Sequence, residues 1–241
     1  MNKLILCEGE TDAILLSYYL SKVAGWAFCK KAPKNLEISR GNSNESVNWY
    51  KKGEDYLLIC GVGGKNNFGS FFKTKIKPPL VTVSAFEKIA VVTDRDDRSI
   101  DDIKKSLLNS MDKFFSNMQD REWCENNYTD AFGIDKTVQL LLTVIPKKHA
   151  GALETVMLEA IAEDSYDKNI VEKTAVFVEK MRAEAEKYIG SERLQLKAHL
   201  GVTWAVQYPE KVFSLIDEQI RNVPWEKYES LKECFGMVAE I

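Results

Sequence analysis

The chain has 241 residues, 45% of them hydrophobic and 29% charged, with 33 Lys and Arg against 36 Asp and Glu for a formal net charge of -3. This is globular composition, sufficient for one large domain or a core with an appendage, and it excludes coating of nucleic acid through bulk positive charge while leaving room for a local basic patch. No apolar run approaches the roughly 18 to 20 residues of a membrane span and the first residues lack signal-peptide features, so a cytoplasmic protein with no membrane partner is expected.

Lys3 to Cys7 reads as a short apolar strand ending on Glu8-Gly9. Asp12 to Val23 follows with Ile14, Leu15, Tyr18 and Tyr19 at helical spacing, giving a strand, tight turn and helix. Residues 32–55 are polar, with turn signals at Asn42-Ser43-Asn44 and Gly53-Glu54-Asp55 around expected strands at Leu36 to Arg40 and Val47 to Lys51; they are expected to form a small β insertion. Tyr56 to Cys60 is a second apolar strand closing on Gly61-Val62-Gly63-Gly64-Lys65, and Lys88 to Thr93 a third closing on Asp94-Arg95-Asp96-Asp97. Val138 to Ile145 makes a fourth, ended by Pro146. Short apolar strands separated by helical stretches predict an α/β fold with a mostly parallel central sheet buried on both faces. Beyond Pro146 the spacing turns helical over Gly151 to Glu163, Asp167 to Tyr188 and Ser191 to Gln207, and Tyr208-Pro209 and Val223-Pro224 mark later breaks. An α/β domain over 1–165 and a helical C-terminal region over 166–241 are therefore expected.

In an open parallel sheet, ligands bind at the carboxyl ends of the strands. Glu8, Asp94 and Asp96 fall at such ends, and Asp12, four residues after Glu8, is one helical turn away and able to face the same crevice. Four converging carboxylates repel one another unless they hold a proton or a hard cation, and Mg²⁺ or Mn²⁺ is the better explanation. Each residue also has a plainer role: an Asp after a strand caps a turn, and an acidic first helical turn suits the helix dipole. The glycine turn offers the N–H groups of Gly63 and Gly64 and the charge of Lys65 to a phosphate, although any tight strand-to-helix turn needs glycines. It is not a Walker A loop, so ATP hydrolysis by a P-loop is excluded. The five cysteines form no C-x-x-C pair, and with only two histidines a zinc site or a Ser-His-Asp triad has little material. Lysine clusters at Lys30 to Lys34, Lys51-Lys52, Lys73 to Lys77 and Lys147-Lys148 could line a nucleic-acid backbone.

Leu4-Ile5-Leu6-Cys7-Glu8-Gly9-Glu10-Thr11-Asp12, followed by Val91-Val92-Thr93-Asp94-Arg95-Asp96, resembles the TOPRIM domain shared by topoisomerases, bacterial primases and the overcoming-lysogenization-defect nucleases. The match spans roughly residues 1 to 160. It implies a Rossmannoid core in which Glu8 ligates metal and takes part in acid/base chemistry while Asp94 and Asp96 hold Mg²⁺. The nuclease branch and its small stand-alone relatives look nearest, on Gly151-Ala152-Leu153-Glu154 and Lys197. That likeness implies that Glu154 holds a second metal with Asp12 and that Lys197 faces the scissile phosphate. Unaided, Glu154 reads equally as a first-turn helix acid and Lys197 as an exposed helical lysine. The implied function is a metal-dependent phosphodiesterase acting on DNA or RNA, with two ions ~4 Å apart. No tyrosine is marked as a nucleophile, and neither the zinc module of a primase nor an ATPase domain is present. A free-standing nuclease, or a subunit whose ATPase partner is a separate chain, is expected, and an oligomer is compatible with either. The alternative from another class is a non-catalytic TOPRIM-like module that binds nucleic acid or protein, with the mixed-charge stretch 167–188 as a solvated face or a partner surface.

Overall fold

A computed structural model describes residues 2–34, 36–211 and 216–241. The chain forms two compact units, one of residues 1–144 with 235–241 and one of residues 145–234.

In the first unit, the described residues give a seven-stranded sheet in the order β2-β3-β4-β1-β5-β7-β6. The strands are β1 (Asn2–Cys7), β2 (Ala27–Cys29), β3 (Ser46–Lys52), β4 (Asp55–Gly61), β5 (Lys88–Asp94), β6 (Cys124–Thr129) and β7 (Asp135–Ile145). β1 is central and pairs in parallel with β4 and β5, setting Ile5 opposite Ile59 on one side and Ala90 on the other. The expectation of a mostly parallel sheet is corrected, because β2 with β3, β3 with β4, and β6 with β7 are antiparallel and the sheet is mixed. Chain length between strands is the cause. Only Gly53-Glu54 separates β3 from β4, and residues 130–134 separate β6 from β7; such short links form hairpins, whereas parallel neighbours need a long crossover. Gly53 and Gly133 take the positive φ values, 59° and 78°, that these reversals require. The expected strand at Leu36 to Arg40 does not form: this stretch is irregular and buries Leu36 and Ile38, while Ala27–Cys29 supplies the edge strand beside β3.

Helix α1 (Glu10–Ala24) follows β1 and ends at Gly25, whose left-handed φ of 75° forms its C-cap. After β4, α2 (Phe68–Phe71) passes through a π-helical turn, Phe72–Ile76, into α3 (Lys77–Val83), with prolines in its first turn where a missing N–H costs nothing. After β5, α4 (Ile100–Ser110) begins at Ser99, whose side chain accepts the Asp102 N–H at 3.1 Å. Leu4, Leu6, Leu58, Cys60, Ile89 and Val91 share one core cluster with Phe68, Phe72 and Leu80 of the helical run and Ile103 and Leu107 of α4. Ile5, Ile59, Ala90 and Val92, which the pleat turns to the opposite face, are equally buried. Burial on both faces explains why these strands read as continuous apolar runs.

The second unit is helical: α5 (Leu153–Ile161), α6 (Ser165–Met181), α7 (Glu186–Ile189), α8 (Glu192–Gln207), α9 (Ile216–Arg221) and α10 (Glu229–Phe235), the last ending on the first residue of the other unit's C-terminal segment. α6 packs on α8, where the buried hydroxyls of Thr174 and Thr203 meet at 2.8 Å and His199 Nε2 lies 2.9 Å from Val171 O. The Glu163 carboxylate accepts the N–H groups of Glu229 and Ser230, each at 2.9 Å, at the start of α10. Among the described residues no helix is long and apolar enough to cross a membrane.

Candidate functional site

β4, β1 and β5 are parallel neighbours, so their carboxyl ends share one edge of the sheet. From β1 the chain goes to β4 on one side and then to β5 on the other; connections that diverge in this way leave a crevice beside the first strand. Glu8 leaves β1, Asp94 ends β5, and Val62-Gly63-Gly64 leaves β4.

Glu8 is 2% exposed. Its Oε1 accepts the Thr93 hydroxyl at 2.7 Å and the Asp94 N–H at 2.9 Å, both from β5. Its Oε2 is buried and has no hydrogen-bond partner among the described residues. A buried carboxylate oxygen without a partner is costly, and in native proteins such an atom points to a catalytic role or to an ion or water. Thr93, which orients Glu8, was not singled out from sequence; its only signal there is its place immediately before Asp94.

Lys65 closes the other side of the cluster. Its Nζ donates to the Asp94 carbonyl at 2.6 Å and to Asp96 Oδ2 at 2.7 Å, and lies 3.9 Å from Glu8 Oε1. Asp96 has φ 51°, a left-handed conformation that Asp tolerates better than most residues. The predicted carboxylates Glu8 and Asp96 thus meet around an ammonium, and the lysine expected to face a phosphate is engaged with them. Among the described residues no three His, Cys, Asp or Glu side chains are grouped to hold a metal ion.

The glycine turn is strapped to β1, with the N–H of Val62 on Cys7 O at 2.9 Å and that of Gly64 on Glu8 O at 2.8 Å. The Gly64 donor expected for a phosphate is therefore occupied. A Cβ on Gly61 would stand 2.6 Å from the Gly9 carbonyl oxygen, so the two turns touch backbone to backbone. Gly63, at φ 80°, packs against the Asn44 backbone.

Asp12 is 8% exposed and its Oδ2 accepts the Gly9 N–H at 3.0 Å, the capping role that its place in the first helical turn allows. Burial, followed by the negative charges of Asp12, Cys60, Glu8 and Asp94, pushes the Cys7 thiol well above its usual range. The nearest sulfur is therefore a neutral thiol that donates to Cys60 O at 3.3 Å. Glu154 and Lys197 belong to the helical unit and pair with each other at 3.6 Å between α5 and α8.

No curated protein matches the chain. Among solved structures it is similar to the crystal structure of hypothetical protein PH0156 from Pyrococcus horikoshii OT3, with 17% identity and a TM-score of 0.45 over 94% of this chain and 98% of that one. Residues 2–223 match the family described as "Protein of unknown function (DUF3226)", and the chain belongs to that family.

Proposed function

We propose that the protein is a metal-dependent phosphodiesterase acting on DNA or RNA, built on a TOPRIM-like core. The observation that carries this is Glu8. It is buried at the carboxyl edge of the sheet beside Asp94 and Asp96, with one oxygen fixed by two donors and the other unpartnered. Glu8, Asp94 and Asp96 offer only oxygen, the donor chemistry of Mg²⁺ or Mn²⁺. They do not form a three-ligand group as they stand, with Lys65 on Asp96 and the Asp94 carbonyl, and would hold such an ion once drawn together around it. Bound there, the ion supplies Lewis-acid activation of water and offsets charge on the leaving oxygen. The chain's own part is orientation and proton handling. Thr93 and the Asp94 N–H fix the Glu8 carboxylate in one rotamer, and Oε2 is the oxygen able to take a proton from an attacking water. Glu154, as a second-metal ligand with Asp12, and Lys197, as a charge facing the scissile phosphate, belong to the same proposal through the TOPRIM resemblance. A cytoplasmic location belongs to it too, as does either a free-standing nuclease or a subunit whose ATPase partner is a separate chain, the two arrangements that the resemblance leaves.

The test is cleavage of single-stranded DNA, duplex DNA and RNA in Mn²⁺ by wild type, Asp94→Asn and Asp96→Asn, with folding checked by circular dichroism. Both variants are expected to lose cleavage while remaining folded; full activity in both would sink the assignment.

A non-catalytic interaction module is favoured by a different observation. Lys65 already balances part of the acidic charge, and a cluster neutralised from within needs no ion to be stable. Mn²⁺ titration separates the two, because a module of this kind does not bind the ion through Glu8.

A further inference from the structure

We infer that the Lys65 ammonium is a built-in competitor for the cation: it holds the cation position at rest and leaves when a divalent ion binds. The inference rests on the proposed cation site and adds a control to it.

Lys65 Nζ sits 2.7 Å from Asp96 Oδ2, 2.6 Å from the Asp94 carbonyl and 3.9 Å from Glu8 Oε1. These oxygens belong to the three residues that would ligand an ion. A divalent ion bonded to them at ~2 to 2.6 Å would lie within about 5 Å of the ammonium, where like charges repel. Both cations cannot occupy the cluster. The unpartnered Glu8 Oε2 shows that the lysine leaves the cluster incompletely satisfied, as a weak substitute for an ion would.

The competitor is also easy to displace. The Lys65 side chain is 20% exposed and that of Asp96 40%, and ion pairs open to water contribute little. Lysine is a flexible point charge, so the side chain can leave without backbone motion. The turn itself stays anchored through the Gly64 and Val62 N–H bonds to β1. Once released, the ammonium remains at the strand-end crevice and is available to a phosphate. By linkage, an anion that captures Lys65 strengthens ion binding, and the ion strengthens anion binding by the same factor.

The experiment is calorimetric titration with Mn²⁺ alone of wild type, Lys65→Met, Glu8→Gln and the double variant, each first checked by circular dichroism. Lys65→Gln serves the same purpose should Lys65→Met not fold. Lys65→Met is expected to bind Mn²⁺ about tenfold or more tightly than wild type, ~1.4 kcal/mol, and Glu8→Gln to remove binding in either background. Binding by Lys65→Met that is equal to wild type, or weaker, overturns the inference and leaves the cation site standing. Absence of Mn²⁺ binding in both wild type and Lys65→Met overturns the cation site, and the inference with it.

Discussion

Replacing Thr93 by valine probes the arrangement that holds the Glu8 carboxylate in place. Thr93 is fully buried, and its hydroxyl lies 2.7 Å from an oxygen of a carboxylate that is itself 2% exposed, so water has no route to replace the lost donor. A hydrogen bond to a charged acceptor contributes ~1.5 to 3 kcal/mol, and one to a neutral acceptor about 1 kcal/mol. Thr93→Val should therefore cost roughly 2 kcal/mol in the native background and about half that when Glu8→Gln has removed the charge, a coupling of about 1 kcal/mol. Only the Asp94 N–H would then remain on Glu8 Oε1. Equilibrium urea unfolding of the wild type, the two single variants and the double variant measures this, provided the denaturant slope is unchanged across the set. A Thr93→Val cost below about 0.5 kcal/mol, or one that is identical in both backgrounds, would refute the assignment of Thr93 as the residue that orients Glu8.

Gly61→Ala tests the backbone contact between the two turns: its Cβ would stand 2.6 Å from Gly9 O and 2.7 Å from Ser46 Oγ. Overpacking of this kind costs roughly 2 to 3 kcal/mol, a melting temperature lower by about 4 to 12 °C; an unchanged melting curve would contradict the contact. Burial alone would raise the Glu163 pKa, but the N–H and hydroxyl donors of Ser230, the Glu229 N–H and the charge of Lys232 outweigh it and hold the carboxyl below its usual value of 4.5. A depressed folded value stabilises above the unfolded value and loses that stability as pH falls through the folded one. Glu163→Gln should accordingly destabilise the protein to urea at pH 7 and converge on wild type as the pH drops below about 4.5; a gap that widens in acid would show the sign to be wrong.

The three parallel strands were legible because strands buried on both faces must be apolar at nearly every position, and Glu8, Asp94 and Asp96 stood out as the charges that end them. The rest was hidden for separate reasons. β6 alternates buried and exposed residues, but one buried position is Asn126, which reads as a turn residue. Its side chain is needed inside, accepting the N–H groups of Ser116 and Asn117 and donating to the Asn117 and Cys124 carbonyls. Leu36 and Ile38 alternate like a strand, yet they bury themselves from irregular chain. In the site, the placement of Glu8 and the Asp-x-Asp pair was readable from strand ends alone. The engagement of Lys65 was not, because it joins residues 29 and 31 positions apart through geometry that no local pattern encodes. Asp12 carried two roles in the sequence, and its bond to the Gly9 N–H is the local one.

The central position of β1 has a consequence for how the molecule is assembled. It is flanked on both sides by strands made much later, and the bonds that hold Glu8 span 85 and 86 positions of chain. Hairpins such as β3 with β4 close over a few residues and form early, whereas pairings of large sequence separation require costly loop closure and come late. The acidic crevice is therefore absent from any nascent chain that has not yet delivered β5. Until then Glu8 is an ordinary solvated carboxylate, and its buried state is a product of the last long-range closure around β1.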